Sequence, residues 1–522
     1  MRHATPLFFT NRPFFVKLEE LVGQHLMIGV AGTEVTPEML DLFRKTHAGG
    51  LIVFRPNFKS AGAFKKLISG LEDALGRKLL VAVDHEGGRV IHLAEGVSVF
   101  PDNLAFGQIQ NEKIVEEQGT IEGLELRRLG IDVNLAPTID VLTESFSPNI
   151  GIRSYGKDPD LVAKLGAARI RAMQAAGLSA CAKHFPGQGQ SQLDAHLDLP
   201  VLFTTSSEMK KVHLVPFVEA IKAGVDTVMS SHPIYPNLDH ERKPATFSRV
   251  LMHDLLRQEL GFKGVVFSDD LEMGALKNIC PIGESACRAV AAGHDVVLVC
   301  HKAEAVLEVY QNLLEAYQNN VLDIGQLEKS VARITALKNK RSKRFAEGRI
   351  FSEKEGSLLS RDVAICAVNI FKNKNLLPID LSSHISIVFP RLSSLASLIF
   401  IEKDFLDEKK ILKSCFEKKG AKISSIDIVG LDPSAEEIQK TLENAKKSDL
   451  AVFFCYDAHL YPKTRELLEK IQQTAKTCAV ILLRDPYDEE WVSEKSIGLS
   501  VFGFRSSQIE AAIESLFDKT SI

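Results

Sequence analysis

The sequence predicts an α/β protein of two unequal domains, an N-terminal (β/α)8 barrel of the TIM type and a smaller C-terminal α/β sandwich with a doubly wound sheet. Three observations predict it. Eight short apolar runs alternate with helical patterns over the first ~340 residues. Unusual polar clusters fall directly after several of these runs. A second strand–helix alternation begins near residue 365.

The eight runs lie at 25–30, 50–54, 79–83, 131–135, 178–182, 227–229, 264–267 and 295–299. Each is short, apolar and bounded by polar residues or glycine, the pattern of a strand buried on both faces in a parallel sheet. Eight such units over this length match a closed barrel. The clusters Asp84-His85-Glu86, Lys183-His184, Ser231-His232 and Ser268-Asp269-Asp270 each follow a run. In a barrel those positions converge on the carboxyl-terminal rim, where active sites form.

A basic stretch, KNKRSKR at 338–344, reads as a solvated helix end or linker. Further strands are expected at 385–389, 423–428, 450–455, 478–483 and 499–504, with helices such as 434–447 between them. The expected division is a barrel over 1–340, a linker over 341–364 and an α/β domain over 365–522. No GxGxxG or phosphate loop occurs in the second part, so no nucleotide cofactor is expected.

Composition limits the partners. The 522 residues carry 63 Lys+Arg against 67 Asp+Glu, a net charge of −4, which argues against nucleic-acid binding through bulk positive charge. Hydrophobic residues make up 45% and charged residues 25%, values of a folded globular chain. No run approaches the ~18 apolar residues of a membrane span. The amino terminus has neither a sustained apolar stretch nor a small-residue cleavage site, so no signal peptide is read. Eight scattered cysteines without a CxxC pair read as buried free thiols, which argues against a disulfide framework or a zinc site. The expectation is a cytoplasmic protein with no metal.

The chemistry-bearing residues are few. Lys183-His184-Phe185-Pro186-Gly187-Gln188-Gly189 combines a cation and a hydrogen-bonding ring with an irregular loop, suited to a polar neutral ligand. The loop continues to Asp194-Ala195-His196, where a carboxylate two residues from a histidine can fix its tautomer for proton transfer. Asp269 and Asp270 close the seventh run; adjacent strand residues point to opposite faces, so at most one of them is expected to face the site, and Asp270 is a candidate helix cap. Asp84 can accept from sugar hydroxyls, and Arg153 is a candidate clamp. His232, after the sixth run, is a further candidate for substrate binding. Together these groups suggest an acid–base or nucleophilic hydrolase of a neutral polar substrate.

The run KHFPGQGQSQLDAHLDLP resembles the signature loop of glycoside hydrolase family three, in its β-N-acetylglucosaminidase branch. VAVDHEGGRV, DVNLAPTIDV, IGIRSYGKDP and GVVFSDDLEMGAL resemble that family's other blocks in the expected order, and 362–380 resembles the start of its C-terminal domain. The resemblance implies a retaining mechanism with Asp269 as nucleophile and His196, paired with Asp194, as acid/base. It also implies that Asp84, Arg153, Lys183 and His184 hold the terminal sugar. The implied substrate is an N-acetylglucosaminyl glycoside, in this branch a peptidoglycan fragment, and no cofactor is implied.

The chain departs from the family pattern at His85, where Gln is common, at Gln188, where His is common, and at His92, where a sugar-pocket Arg is common. On that ground the resemblance adds His92 to the expected substrate-binding residues. The residues leave three other readings open. One is a glycoside phosphorylase, since a histidine acid/base does not repel phosphate. Another is a β-glucosidase or β-xylosidase, and the third is an inactive sugar-binding protein.

Overall fold

The computed structural model describes residues 17–93, 95–144, 146–193, 198–343, 353–397 and 399–518. All eight expected runs form strands. They are β1 (Leu26–Ile28), β2 (Gly50–Val53), β3 (Leu80–Val83), β4 (Val133–Asn134), β5 (Ser179–Phe185), β6 (Thr227–Ser230), β7 (Val265–Asp270) and β8 (Val296–Val299). They pair in parallel in sequence order, and β8 closes onto β1 through Met27 opposite Leu298. The connecting helices begin and end where the sequence signals it. Ser60 accepts from the Ala63 amide to open the helix Ala61–Leu75, and Gly76 ends it at φ +65°.

Alternate residues of the strands fill the barrel. Leu80 and Ala82, Val133 and Leu135, Val265 and Phe267, and Val296 and Leu298 belong to one buried cluster, together with Met27, Cys181 and Met229. Two strands are irregular at their carboxyl ends. The β5–β6 pairing shifts register between Ala182 and Phe185, and the β7–β8 pairing between Phe267 and Asp270.

The later residues form a six-stranded sheet of β9 (Asn369–Lys372), β10 (His384–Pro390), β11 (Lys422–Val429), β12 (Leu450–Cys455), β13 (Cys478–Leu482) and β14 (Ile497–Ser500). The order is β11-β10-β12-β13-β14-β9, with only β9 antiparallel. Apolar side chains on both faces of the sheet enter buried clusters, Ile387 and Phe454 on one side and Val388 and Phe453 on the other. This is the doubly wound arrangement. All five expected strands are present. The sixth, β9, went unforeseen because it is a half-buried edge strand with only two apolar residues.

The chain divides into two compact units that are discontinuous in sequence. One takes the described residues up to His85, in Gly119–Asp140 and in Gly166–Ile350; the other takes those in Glu86–Gln118, in Val141–Leu165 and from Phe351 onward. Of the expected linker, the described part from 353 opens the helix Glu353–Ala367. The basic stretch lies on the helix Ile324–Lys343, and it is less solvated than expected: Lys338 donates to Gln24 at 2.9 Å and Lys340 pairs with Asp226. Among the described residues no helix is long and apolar enough to cross a membrane. All eight cysteines are free; five are buried, Cys280 and Cys287 are half-buried, and Cys366 is exposed.

Candidate active site

In the barrel unit, the alternation that fills the core continues into the polar residues. Leu80 and Ala82 lead to Asp84, Cys181 leads to Lys183, and Val265 and Phe267 lead to Asp269. An acid, a base and a second acid therefore stand at the carboxyl ends of three strands. Lys183 is buried and donates its ammonium to Asp84 Oδ1, whose side chain is 28% exposed. A buried cation needs such a partner.

His184 turns the other way, onto a carboxylate that the sequence reading passed over. Asp140 Oδ2 lies 2.8 Å from His184 Nδ1 and 3.2 Å from the His184 amide, and Asp140 Oδ1 accepts from the Gln188 amide at 2.7 Å. One buried carboxylate thus fixes the ring and the loop that carries it, placing the proton on Nδ1. The Tyr235 hydroxyl donates to the Gly187 carbonyl at 2.8 Å. Gly187 sits at φ +115° against His213, where a Cβ would approach the His213 Cβ to 2.9 Å. Burial lowers the pKa of His213, against the opposing pull of Glu208 and Asp140.

The two adjacent acids of β7 make different contacts. Asp269 Oδ1 accepts from the Asp270 amide at 2.8 Å. Asp270 Oδ1 instead accepts from the Glu272 amide at 3.1 Å, and its Oδ2 lies 3.4 Å from Nε2 of His301, just past β8. Asp270 therefore caps a turn rather than a helix, since the next helix, Gly274–Lys277, starts from Met273. Burial pushes the Asp270 carboxyl up to about 6, with the neighbouring acids Glu272 and Asp269 adding to the rise. His232 Nε2 donates to the Asp270 carbonyl at 3.1 Å, and its Nδ1 meets the Thr246 hydroxyl at 2.7 Å. His232 thereby braces the backbone that carries the paired acids. His301, which packs against Phe54 at a ring separation of 5.4 Å, had no signal in the sequence beyond its place after the eighth run.

Asp194 and His196, the expected acid/base pair, lie outside the described residues. Arg153 and His92 belong to the second compact unit. There Arg153 forms a two-pronged pair with Glu86, Nε to Oε2 at 2.9 Å and Nη2 to Oε1 at 2.7 Å. Its Nη1 donates to the Asn149 carbonyl at 2.7 Å, and Asn103 donates to the Arg153 carbonyl at 2.6 Å. Glu86 was not singled out from the sequence; only its place beside Asp84 could have marked it. His92 is half-buried in the segment 86–118. Among the described residues no group of three or more His, Cys, Asp or Glu side chains could hold a metal ion.

The pattern of the glycosyl hydrolase family 3 N-terminal domain matches residues 17–337. A β-hexosaminidase of Thiobacillus denitrificans is 38% identical over 294 residues, which cover 55% of this chain and 81% of that protein. The solved structure of a family 3 β-N-acetylglucosaminidase from a Paenibacillus species superposes with a TM-score of 0.90 at 30% identity, covering 96% of this chain and 97% of that one. A β-glucoside phosphorylase shares the fold, with a TM-score of 0.80 at 20% identity over 97% of this chain and 92% of that one.

Proposed function

Because the chain belongs to glycosyl hydrolase family 3, we propose that this glycoside hydrolase is a retaining exo-β-N-acetylglucosaminidase. The observation that supports the reading is that Asp269 stands near the end of β7 at the carboxyl end of the barrel, as Lys183 in β5 and Asp84 just after β3 do, the last two being paired. The similar β-hexosaminidase and β-N-acetylglucosaminidase support the substrate class.

In the first step an Asp269 carboxylate oxygen bonds to the anomeric carbon. The bond to the aglycone oxygen breaks, its electron pair stays on that oxygen, and His196 as imidazolium supplies the proton. In the second step neutral His196 takes a proton from water. The water oxygen displaces Asp269, restoring carboxylate and imidazolium, and two inversions give net retention. Asp194 steadies the His196 tautomer. Asp84, Lys183, His184 and Arg153 hold the sugar, with His92 and His232 as further binding residues. Side chains and water handle every proton and electron pair, so the route uses no cofactor or metal. The natural substrates are peptidoglycan fragments, N-acetylglucosamine joined to a muramic unit, cleaved in the cytoplasm during cell-wall recycling.

The test is a panel of nitrophenyl glycosides with purified protein, wild type beside Asp269→Ala, with and without phosphate. Preference for the N-acetylglucosaminide, lost in Asp269→Ala, is expected. Equal or better turnover of the glucoside would overturn the substrate class. Phosphate-dependent release of a sugar 1-phosphate would replace hydrolysis with phosphorolysis.

A further inference from the structure

In the second compact unit, both halves of the Arg153–Glu86 pair are fixed from one edge of the sheet. Arg153 ends the tight turn Gly151–Arg153. The amide of Ile152, inside that turn, donates to Asp485 Oδ1 at 2.9 Å. The turn closes directly over this carboxylate: Gly151 sits at φ +43°, and a Cβ there would lie 2.2 Å from Asp485 Oδ1. Asp485 is buried, and its other oxygen lies 3.2 Å from Arg484 Nε. Arg484 is in turn paired with Asp457.

Glu86 is held through the next turn. The Gly88 carbonyl, two residues on, accepts from Arg505 through Nε at 2.7 Å and also through Nη2. Arg505 Nη1 donates to the Phe400 carbonyl at 2.7 Å, and its guanidinium lies over the rings of Phe504 and Phe400. Gly88 has no room for a side chain, since a Cβ would lie 1.9 Å from Asp102. The Glu86 amide donates to the Val90 carbonyl at 3.0 Å and closes the same loop.

Asp485 follows β13 and Arg505 follows β14, two neighbouring parallel strands. Both therefore project from the carboxyl edge of a doubly wound sheet, the edge at which such sheets bind ligands. Here its charged groups engage the backbone of two of the protein's own turns, one per partner of the buried pair. A carboxylate under an amide and a guanidinium under a carbonyl are charge-assisted bonds, about twice as strong as neutral ones.

We infer that Asp485 and Arg505 are positioning residues that set the sugar-holding guanidinium of Arg153, giving the C-terminal sheet a part in substrate binding. The inference rests on the sugar-holding role proposed for Arg153. It gives the sheet a task that its sequence does not announce, because each contact joins residues more than three hundred positions apart.

The experiment combines kinetics on nitrophenyl N-acetylglucosaminide with hydrogen–deuterium exchange on the full chain. Asp485→Ala is expected to raise KM about tenfold while kcat stays within about twofold, because the lost contact supports binding in ground and transition states alike. Exchange should quicken in peptides covering 147–155 and stay unchanged in peptides from β5 to β7. Asp485→Asn, which keeps an oxygen for the Ile152 amide, should restore most of both. A merely structural residue would lower the folded fraction and leave KM alone.

Wild-type KM and wild-type exchange in folded Asp485→Ala would overturn the inference. Quicker exchange with unchanged KM would also overturn it, since the tether would then not bear on the sugar. If Asp485→Ala does not fold, Arg505→Lys serves with the same two measurements, now on peptides covering 86–90, because one ammonium cannot replace the fork that reaches both Gly88 and Phe400. Should the wild type turn over no N-acetylglucosaminide, the functional reading fails, and the exchange result still decides whether the tether exists.

Discussion

Lys183 and Asp84 form an ion pair of unequal burial: the lysine side chain is 1% exposed and the aspartate 28%. The inequality makes the two single deletions different. Asp84→Ala removes an anionic partner from a deeply buried ammonium, which costs about 3 kcal/mol. Lys183→Met leaves a carboxylate that can still hydrate, and about 1 kcal/mol is expected. Urea unfolding midpoints of the two variants check this. A larger loss in Lys183→Met would show that the pair is not organised around the buried cation.

Asp269 and His196 should separate chemistry from binding. Asp269→Ala removes the proposed nucleophile, and kcat should fall by about 10⁴-fold or more while the sugar still binds. His196→Ala should slow turnover and keep binding, and it should spare substrates with good leaving groups, which need little protonation. Wild-type-like rates in Asp269→Ala would remove the assignment.

Asp270 should leave a mark on the pH dependence of stability. Its carboxyl is pushed up to about 6, above its ordinary 3.8, first by burial, then by Glu272 and Asp269; the Glu272 amide and His301 oppose the rise. The native state therefore holds this proton more tightly than the unfolded chain. The stabilisation is complete below about pH 4 and is lost as the pH rises through about 6, a change on the order of 2 kcal/mol. Asp270→Asn removes that contribution. Between pH 4 and 7 the wild type should lose more stability than the variant, by about that amount. Parallel curves of melting temperature against pH would refute it.

Glu86→Gln tests the pairing of Arg153 directly. The amide keeps the shape and removes the charge that faces the buried guanidinium, and a stability loss of about 3 kcal/mol is expected. KM should rise at least about tenfold, in the same direction as Asp485→Ala. A binding constant for N-acetylglucosamine that does not move would separate Arg153 from the sugar.

Much of the fold was legible because its signals are local. The eight apolar runs became eight strands, and Asp84, Lys183 and Asp269 stand at the carboxyl ends of three of them. What was not legible depends on partners distant in sequence. Asp140 is marked by its bonds to His184 and Gln188, 44 and 48 residues away, and Glu86 by its bonds to Arg153, 67 residues away. The edge strand β9 pairs with β14 rather than announcing itself by a hydrophobic run. Composition along the chain also could not show that 86–118 and 141–165 group with the later sheet, since both read as ordinary connections between strands.

The bond from the Ile152 amide to Asp485 has a consequence for synthesis. Its two ends are 333 residues apart. At ~5–20 residues per second, roughly 20–70 s pass between the making of the donor and the making of its acceptor. During that interval the turn bearing Arg153 has left the ribosome before its anchor exists. The barrel strands can therefore all be translated well before the contact that anchors the Arg153 turn is able to form.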